Sequence, residues 1–389
     1  MPNQLERVCM VPDAFTEILQ IVNDKELSET GGAHNQKGVE FQRNWALVRM
    51  FELESQEQPD FLVLFEAIQD VAVVDSNSAP TKIEIYQVKK KDRNEWTWAE
   101  LTNLHTPKLG KPTKKPKPIK GVFSSPMGKL YRALRAFKEL TGTARFISNA
   151  GCDLAMADGT NAATSLPVAM ANLPDHLRSL LSESFKSIHA QGEPSPDLSR
   201  IYVERVNVPV DDCATFTVGV AHSFLLARSP PHAGQARALV ETLLAKVGPL
   251  GAKTVSCTTF EEMRAQRGYA RSDFVAALAN LQSIPDLLQH LDIWLSKLAS
   301  EGMGVMEIIG IRAAAASIYR RQVMGANLPE DRDVAKACDV WLADKEDPQA
   351  LLPFFITALT ELKIGFPYLN SAMLQAHFAL RAIKCAVQI

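Results

Sequence analysis

No two of the six cysteines stand at the spacing of a metal knuckle or a redox pair; Cys9, Cys152, Cys213, Cys257, Cys338 and Cys385 are scattered over 389 residues. That scatter argues against a disulfide framework or a zinc site and predicts reduced thiols in a cytoplasmic protein. Apolar runs break well short of a bilayer span, and the opening MPNQLERVCM lacks the basic and apolar regions of a signal peptide, so no membrane partner is expected. A P-loop, a dinucleotide fingerprint and a serine-hydrolase elbow are all missing, which removes the commonest nucleotide-dependent and acyl-transfer chemistries. There is no internal repeat. What remains has the make-up of an ordinary globular protein, 46% hydrophobic and 22% charged. Its length makes two domains the expectation.

A large excess of charge is also lacking, since the net formal charge is −2, but the distribution is uneven. Residues 81–120 hold 11 Lys or Arg against 4 Asp or Glu, a local +7, which leaves −9 for the rest of the chain. A basic island in an acidic protein suggests a polyanion contact confined to one place.

Residues 61–92, FLVLFEAIQDVAVVDSNSAPTKIEIYQVKKKD, are the stretch around which the chain is organised. Val, Ile, Phe and Tyr dominate 61–74 and 82–89, and a DSNSAPT turn separates them, so the two runs read as the strands of a hairpin. Polar groups interrupt both runs where burial should be deepest: Glu66 and Asp70 in the first, Gln87 and Lys89 in the second. Alternation along a strand puts Gln87 and Lys89 on the face of Ile83 and Ile85, and Asp70 on the face of Ala72 and Val74.

Before the hairpin, 13–22 reads as a short helix, 23–38 as a polar loop, and the sequence from Val39 as a helix with Phe41, Trp45, Val48 and Phe51 on one side. After it come Trp96 and Trp98, which are expected to pack, and LGKPTKKPKPIK, whose prolines exclude a helix and leave a basic loop. An amphipathic helix at 129–140 and a strand at 144–148 complete an α-β-β-α-β order, that of an α/β domain. A helix near 174–188, a strand at 201–210 and an apolar stretch at 216–227 follow. From about Ala233 every segment reads as helix: 234–247, 260–267, 272–281, 285–299, 304–323, 329–343, 348–363 and 370–387. Thr259 with Glu262 forms a capping-box pattern, and Pro285, Pro329 and Pro348 suit first turns. The expected division is 1–230, with its α/β core at about 25–225, and 231–389, an all-α assembly or partner-binding domain. The segments 304–323 and 348–363 are apolar on more than one side, which predicts burial within the bundle or against another chain.

An acid on one strand and Gln-x-Lys on its neighbour suit a metal-dependent nuclease. Phosphodiester hydrolysis needs a cation to activate water and offset charge. A hard cation wants oxygen, which Asp70, the Gln87 amide and the Val88 backbone carbonyl could supply, with Glu66 counted among the metal ligands. Lys89 would position the water and stabilise the developing charge. Glu40 or Gln42 on the preceding helix would add a direct or supporting ligand. Lys90, Lys91, Lys114, Lys115 and Lys117 are the candidate DNA contacts, reading phosphate and not sequence. His34 and His105 lie near but have no partner at ligand spacing.

The order Gly38-Val39-Glu40-Phe41-Gln42, then Glu66 and Asp70, then Gln87-Val88-Lys89 resembles the PD-(D/E)xK nuclease superfamily. In particular it is similar to the double-stranded DNA endonuclease domain of CD-NTase-associated antiphage effectors, whose layout Phe146-Ile147-Ser148-Asn149 also fits. The resemblance covers roughly residues 25–225 and implies a restriction-endonuclease-like fold, Mg²⁺ or Mn²⁺ as cofactor and double-stranded DNA as substrate. Gln87 stands where many members have Asp or Glu; a neutral ligand implies weaker metal binding without DNA. The resemblance also implies an antiphage setting. With no α/β sensor legible in the helical half, it implies control by a HerA-type hexameric ATPase. That the protein is a homo-oligomer is expected from its own two broadly apolar helical segments, 304–323 and 348–363. The alternative is a non-catalytic nucleic-acid-binding scaffold.

Overall fold

The run 61–74 forms two strands instead of one. In the computed structural model, which describes residues 13–24, 27, 36–105, 119–164, 166–252, 256–282, 287–323, 328–343, 345 and 348–387, β1 (Leu62–Phe65) and β2 (Val71–Val74) pair antiparallel, with Leu62 opposite Val74 and Phe65 opposite Val71. The chain reverses through residues 66–70, where Glu66 takes a left-handed conformation at φ 48° and its N–H bonds the Asp70 carbonyl at 3.0 Å. Ala67 and Ile68 are fully buried, so the turn keeps the apolar character of a strand and its sequence hides it.

Two helices precede these strands, α1 (Ala14–Asn23) and α2 (Gln36–Ser55). Asp13 caps α1 by accepting from the Thr16 N–H at 2.8 Å. β3 (Lys82–Lys89) follows, then the short β4 (Trp96–Thr97), α3 (Trp98–Thr102), α4 (Pro126–Ala136), β5 (Thr141–Ser148), β6 (Cys152–Asp153), β7 (Val168–Ala169), α5 (Asp175–Lys186) and β8 (Ile201–Arg205). The main sheet has the order β7-β8-β5-β3-β2-β1 and a seventh strand next to β1. β3, β5 and β8 run parallel, whereas β1, β2 and β3 form an antiparallel meander, so the sheet is mixed. β4 and β6 make a separate two-stranded pair.

Alternation sorts β3 onto two faces. Ile83 and Ile85 share one core with Ile18 and Ile21 of α1, Met127, Leu130 and Leu134 of α4, and Leu181 and Phe185 of α5. Each such side chain, once fully buried, contributes roughly 1.5–3 kcal/mol. On the opposite face Trp45 of α2 packs on Tyr86 with ring centroids 4.7 Å apart. Here polar groups are half-buried but paired. Arg49 reaches Glu84 at 3.0 Å, Arg145 bridges Glu84 at 3.8 Å and Glu204 at 3.4 Å, and the Tyr86 hydroxyl donates to Glu84. Burial alone would raise the Glu84 carboxyl; the Tyr86 hydroxyl and the two arginines outweigh it and hold it below its ordinary value.

α6 (Cys213–Arg228), α7 (Ala236–Val247), α8 (Phe260–Arg267), α9 (Arg271–Gln282), α10 (Leu287–Ser300), α11 (Val305–Val323), α12 (Pro329–Leu342), α13 (Leu351–Gly365) and α14 (Ser371–Val387) complete the chain. The expected helix at 260–267 is α8, capped by the Thr259 hydroxyl, and Pro329 opens α12. One interruption departs from the expected run of helices. β9 (Gly268–Ala270) pairs antiparallel with β1 and supplies the seventh strand, too short at three residues to leave a periodic signal. Pro348 precedes α13 and does not begin it, and Pro285 lies outside the described residues.

The chain divides into two compact units: 1–220 with 244–275, and 221–243 with 276–389. The sequence expectation places its division near 230; in the structure the chain passes between the units three times. In the second unit α14 is the central helix. Its Leu374, Phe378, Ala379 and Leu380 are buried, and Phe378 meets Trp341, Phe354 and Phe355. α11 buries Ile311, Ala315 and Ile318 but leaves Val305, Met306 and Ile309 exposed. No helix among the described residues is long and apolar enough to cross a membrane.

Candidate active site

β3 outlasts its neighbour. Paired against β2 up to Tyr86, it runs on to Lys89, so the last peptide groups on that side need other partners. Two side chains provide them. The Val88 N–H donates to Asp70 Oδ2 at 2.7 Å, and the Val88 carbonyl accepts from Gln42 Nε2 at 3.2 Å. Asp70 is 2% exposed and stands immediately before β2; Gln42 is buried on α2. The second Asp70 oxygen, Oδ1, lies 3.2 Å from Lys89 Nζ, a pair in which the carboxylate is buried and the ammonium partly open to solvent. A carboxylate has about four acceptor positions, so it can take both donors and still bind a cation.

Gln87 is 1% exposed and is followed in register by this pair. Its neighbour in the parallel direction is Phe146, and that of Lys89 is Ser148. The group thus lies at the carboxyl ends of parallel strands, where open α/β sheets place their ligands. Ser148 Oγ accepts from Trp96 Nε1 at 2.9 Å, and Asn149 holds the Lys91 backbone from both sides, accepting from its N–H at 2.9 Å and donating to its carbonyl at 2.8 Å.

The structure therefore brings together Asp70, Gln42, Val88 and Lys89, with Gln87 beside them on β3. Glu66 opens the loop that ends in Asp70, and its charge faces Arg43 of α2. Glu40 is exposed and faces Cys213, whose thiol burial and the Glu40 charge push up to about 11. Lys90 pairs with Asp92 at 3.0 Å. Lys91 pairs with Glu100 at 2.7 Å, donates to the Glu95 carbonyl and covers the Trp96 ring at 4.7 Å. Trp96 in turn packs edge-on against Phe146, and Trp98 is buried, so both tryptophans belong to the packing. His105 is exposed; His34, Lys114, Lys115 and Lys117 lie outside the described residues. Sequence reasoning misses Arg267 of α8, which donates to the Glu66 carbonyl across 201 positions of chain. No local signal marks it.

For a divalent cation the donors on offer are oxygens: the Asp70 carboxylate and the Val88 carbonyl, with the Gln87 amide beside them on β3. Such a set fits Mg²⁺ or Mn²⁺ and not a soft metal. Among the described residues no cluster of three or more His, Cys, Asp or Glu is placed to hold a metal. A cation here would lean on amide and backbone oxygens and on oxygens that a bound substrate brings.

Comparison with curated proteins and with solved structures returns no match. A family model does match: that of Cap4, dsDNA endonuclease domain, over residues 30–244. The match takes in α2, the whole β1–β3 meander with Asp70 and Gln87-Val88-Lys89, and β5 and β8. The chain belongs to the family of Cap4 double-stranded DNA endonuclease domains.

Proposed function

We propose that the protein hydrolyses phosphodiester bonds of double-stranded DNA with the help of a divalent cation, as an effector of antiphage defence, and that Asp70, Gln87 and Lys89 carry the reaction. The observation that supports this best is the Asp70 carboxylate held between the Val88 N–H and the Lys89 ammonium at the open end of β3. A bound divalent cation would supply an activated water and offset charge on the phosphate. Asp70, Gln87, the Val88 carbonyl and Glu66 would hold it. Gln42 fixes the orientation of the Val88 carbonyl, and Asp70 fixes that of the Lys89 ammonium, which stabilises the negative charge that grows on phosphate. Gln87 brings no charge, and Asp70 and Lys89 offset each other. A cation is therefore held weakly until DNA arrives with its own oxygens. Incubating the full chain with plasmid DNA tests this: cleavage is expected with Mg²⁺ or Mn²⁺ and none with a chelator. Equal cleavage in both would overturn the reading.

Five lysines are proposed to contact phosphate: Lys90 and Lys91, directly after β3, and Lys114, Lys115 and Lys117 of the basic segment. Replacing Lys114, Lys115 and Lys117 with Ala is expected to weaken DNA binding and to lower the salt slope by about 0.9 for each phosphate no longer neutralised. A slope equal to the wild type would show that the loop stays in solvent.

Control is proposed to reside in the helical half, which would self-associate and dock a HerA-type ATPase. Support comes from α11, where Val305, Met306 and Ile309 are 71%, 79% and 55% exposed, and from Ile356 and Ile364 of α13. Apolar side chains so placed are commonly covered by another chain. Light scattering of the full chain, alone and with the candidate ATPase, would show a strictly monomeric protein if this part is wrong.

A further inference from the structure

We infer that Arg267 is a positioning residue for the loop that carries Asp70, and that residues 249–252 and 256–271 are part of the working nuclease although the family match ends at 244. The inference rests on the assignment of Asp70 to the active site. Two contacts from this segment converge on Glu66, the residue that opens the loop. The Arg267 guanidinium, 7% exposed, donates to the Glu66 carbonyl. Gly251, at φ 75°, lies so close that an added Cβ would stand 2.7 Å from the Glu66 Cβ and 2.9 Å from the Phe65 carbonyl oxygen. The Gly251 N–H bonds the Gln266 carbonyl at 3.0 Å, so the two contacts form one clamp.

The clamp is itself anchored to the sheet and to the first two helices. β9 pairs with β1, Arg271 makes a double hydrogen bond to the Glu54 carboxylate at 2.8 and 2.9 Å, and Cys257 exchanges two backbone bonds with the Asn23 side chain at 2.7 and 2.9 Å. Glu66 is not glycine, yet it holds a left-handed conformation that such residues adopt rarely and only where the surroundings impose it. Its N–H bonds the Asp70 carbonyl, so the angle at which the loop closes sets where the Asp70 carboxylate meets the Val88 N–H and Lys89. Releasing Glu66 would let Asp70 drift without removing any group that touches DNA.

The test compares full-length Arg267→Met, Arg267→Lys and Asp70→Asn with the wild type. Cleavage kinetics and hydrogen exchange of the Val88 amide are both measured. Arg267→Met is expected to lower kcat by about tenfold to a hundredfold, with KM held within about twofold. The Val88 amide is expected to exchange about tenfold faster while Val73, inside the meander, keeps its protection. Arg267→Lys retains a donor and is expected to recover part of both. Wild-type kcat and wild-type Val88 exchange in Arg267→Met would overturn the inference, as would an equal loss of protection at Val73, which marks a merely structural role. If Arg267→Met does not fold, Gly251→Ala strains the same residue and is read in the same way. Full activity in Asp70→Asn overturns the assignment of the site itself. An inactive Asp70→Asn beside an unaffected Arg267→Met overturns the clamp alone.

Discussion

Asp70→Asn is expected to cut the rate of DNA cleavage on the order of a thousandfold, with the fold retained. The side chain is 2% exposed, and its charge serves three purposes at one point: it ends the β3 ladder at Val88, orients Lys89, and is the one buried carboxylate at the end of the meander among the described residues. Asparagine keeps the shape and can still accept the Val88 N–H, so the loss of stability should be about 1 kcal/mol. It cannot bind a hard cation with charge or hold an ammonium against it. Rates under single turnover, with melting measured on the same sample, separate the two effects. A variant that cleaves within a few-fold of wild type would remove Asp70 from the chemistry.

The second large effect is expected at Lys89. Lys89→Met keeps the stem that lies along the strand and removes the ammonium 3.2 Å from Asp70. Cleavage should fall on the order of a hundredfold, since the variant lacks a donor aimed at developing charge. DNA affinity should change little, because a single phosphate contact is a small part of the electrostatic attachment. Lys89→Arg is expected to restore only part of the rate. A planar, forked guanidinium does not reproduce a compact ammonium in a confined position. An affinity loss as large as the rate loss would make Lys89 a binding residue instead.

Much of this site is legible in the sequence for one reason: polar side chains that interrupt apolar runs stand out. Asp70, Gln87 and Lys89 show themselves that way, and the helix from Val39 with Gln42 follows from its spacing. The split of 61–74 is not legible. The reversal at 66–70 closes on the bond from the Glu66 N–H to the Asp70 carbonyl, but Glu66, Ala67, Ile68 and Gln69 are not usual turn residues, and Arg267 reaches it from 201 positions away. In the lysine run after β3, proposed as phosphate contacts, the sequence does not show that Lys91 also pairs with Glu100, bonds the Glu95 carbonyl and covers the Trp96 ring. Glu40, adjacent in sequence to the helix face that meets β3, turns towards Cys213. Helix types and bounds in the second half follow closely from Ala- and Leu-rich periodicity. Which helix is central does not: α11 and α14 are both rich in apolar residues, and it is α14 whose Leu374, Phe378, Ala379 and Leu380 are buried while α11 leaves Val305, Met306 and Ile309 exposed.

The cation can be located without relying on turnover. Fe²⁺ in place of Mg²⁺, with DNA, hydrogen peroxide and ascorbate present, reduces the peroxide to hydroxyl radicals where it binds and cuts the polypeptide nearby, the ascorbate returning Fe³⁺ to Fe²⁺. Scission is expected at residues 66–70 and 87–89 in the full chain, suppressed by excess Mg²⁺ and absent in Asp70→Asn. Scission confined to other segments, or an unchanged pattern in Asp70→Asn, would place the metal elsewhere and contradict a cation site built on Asp70 and Gln87.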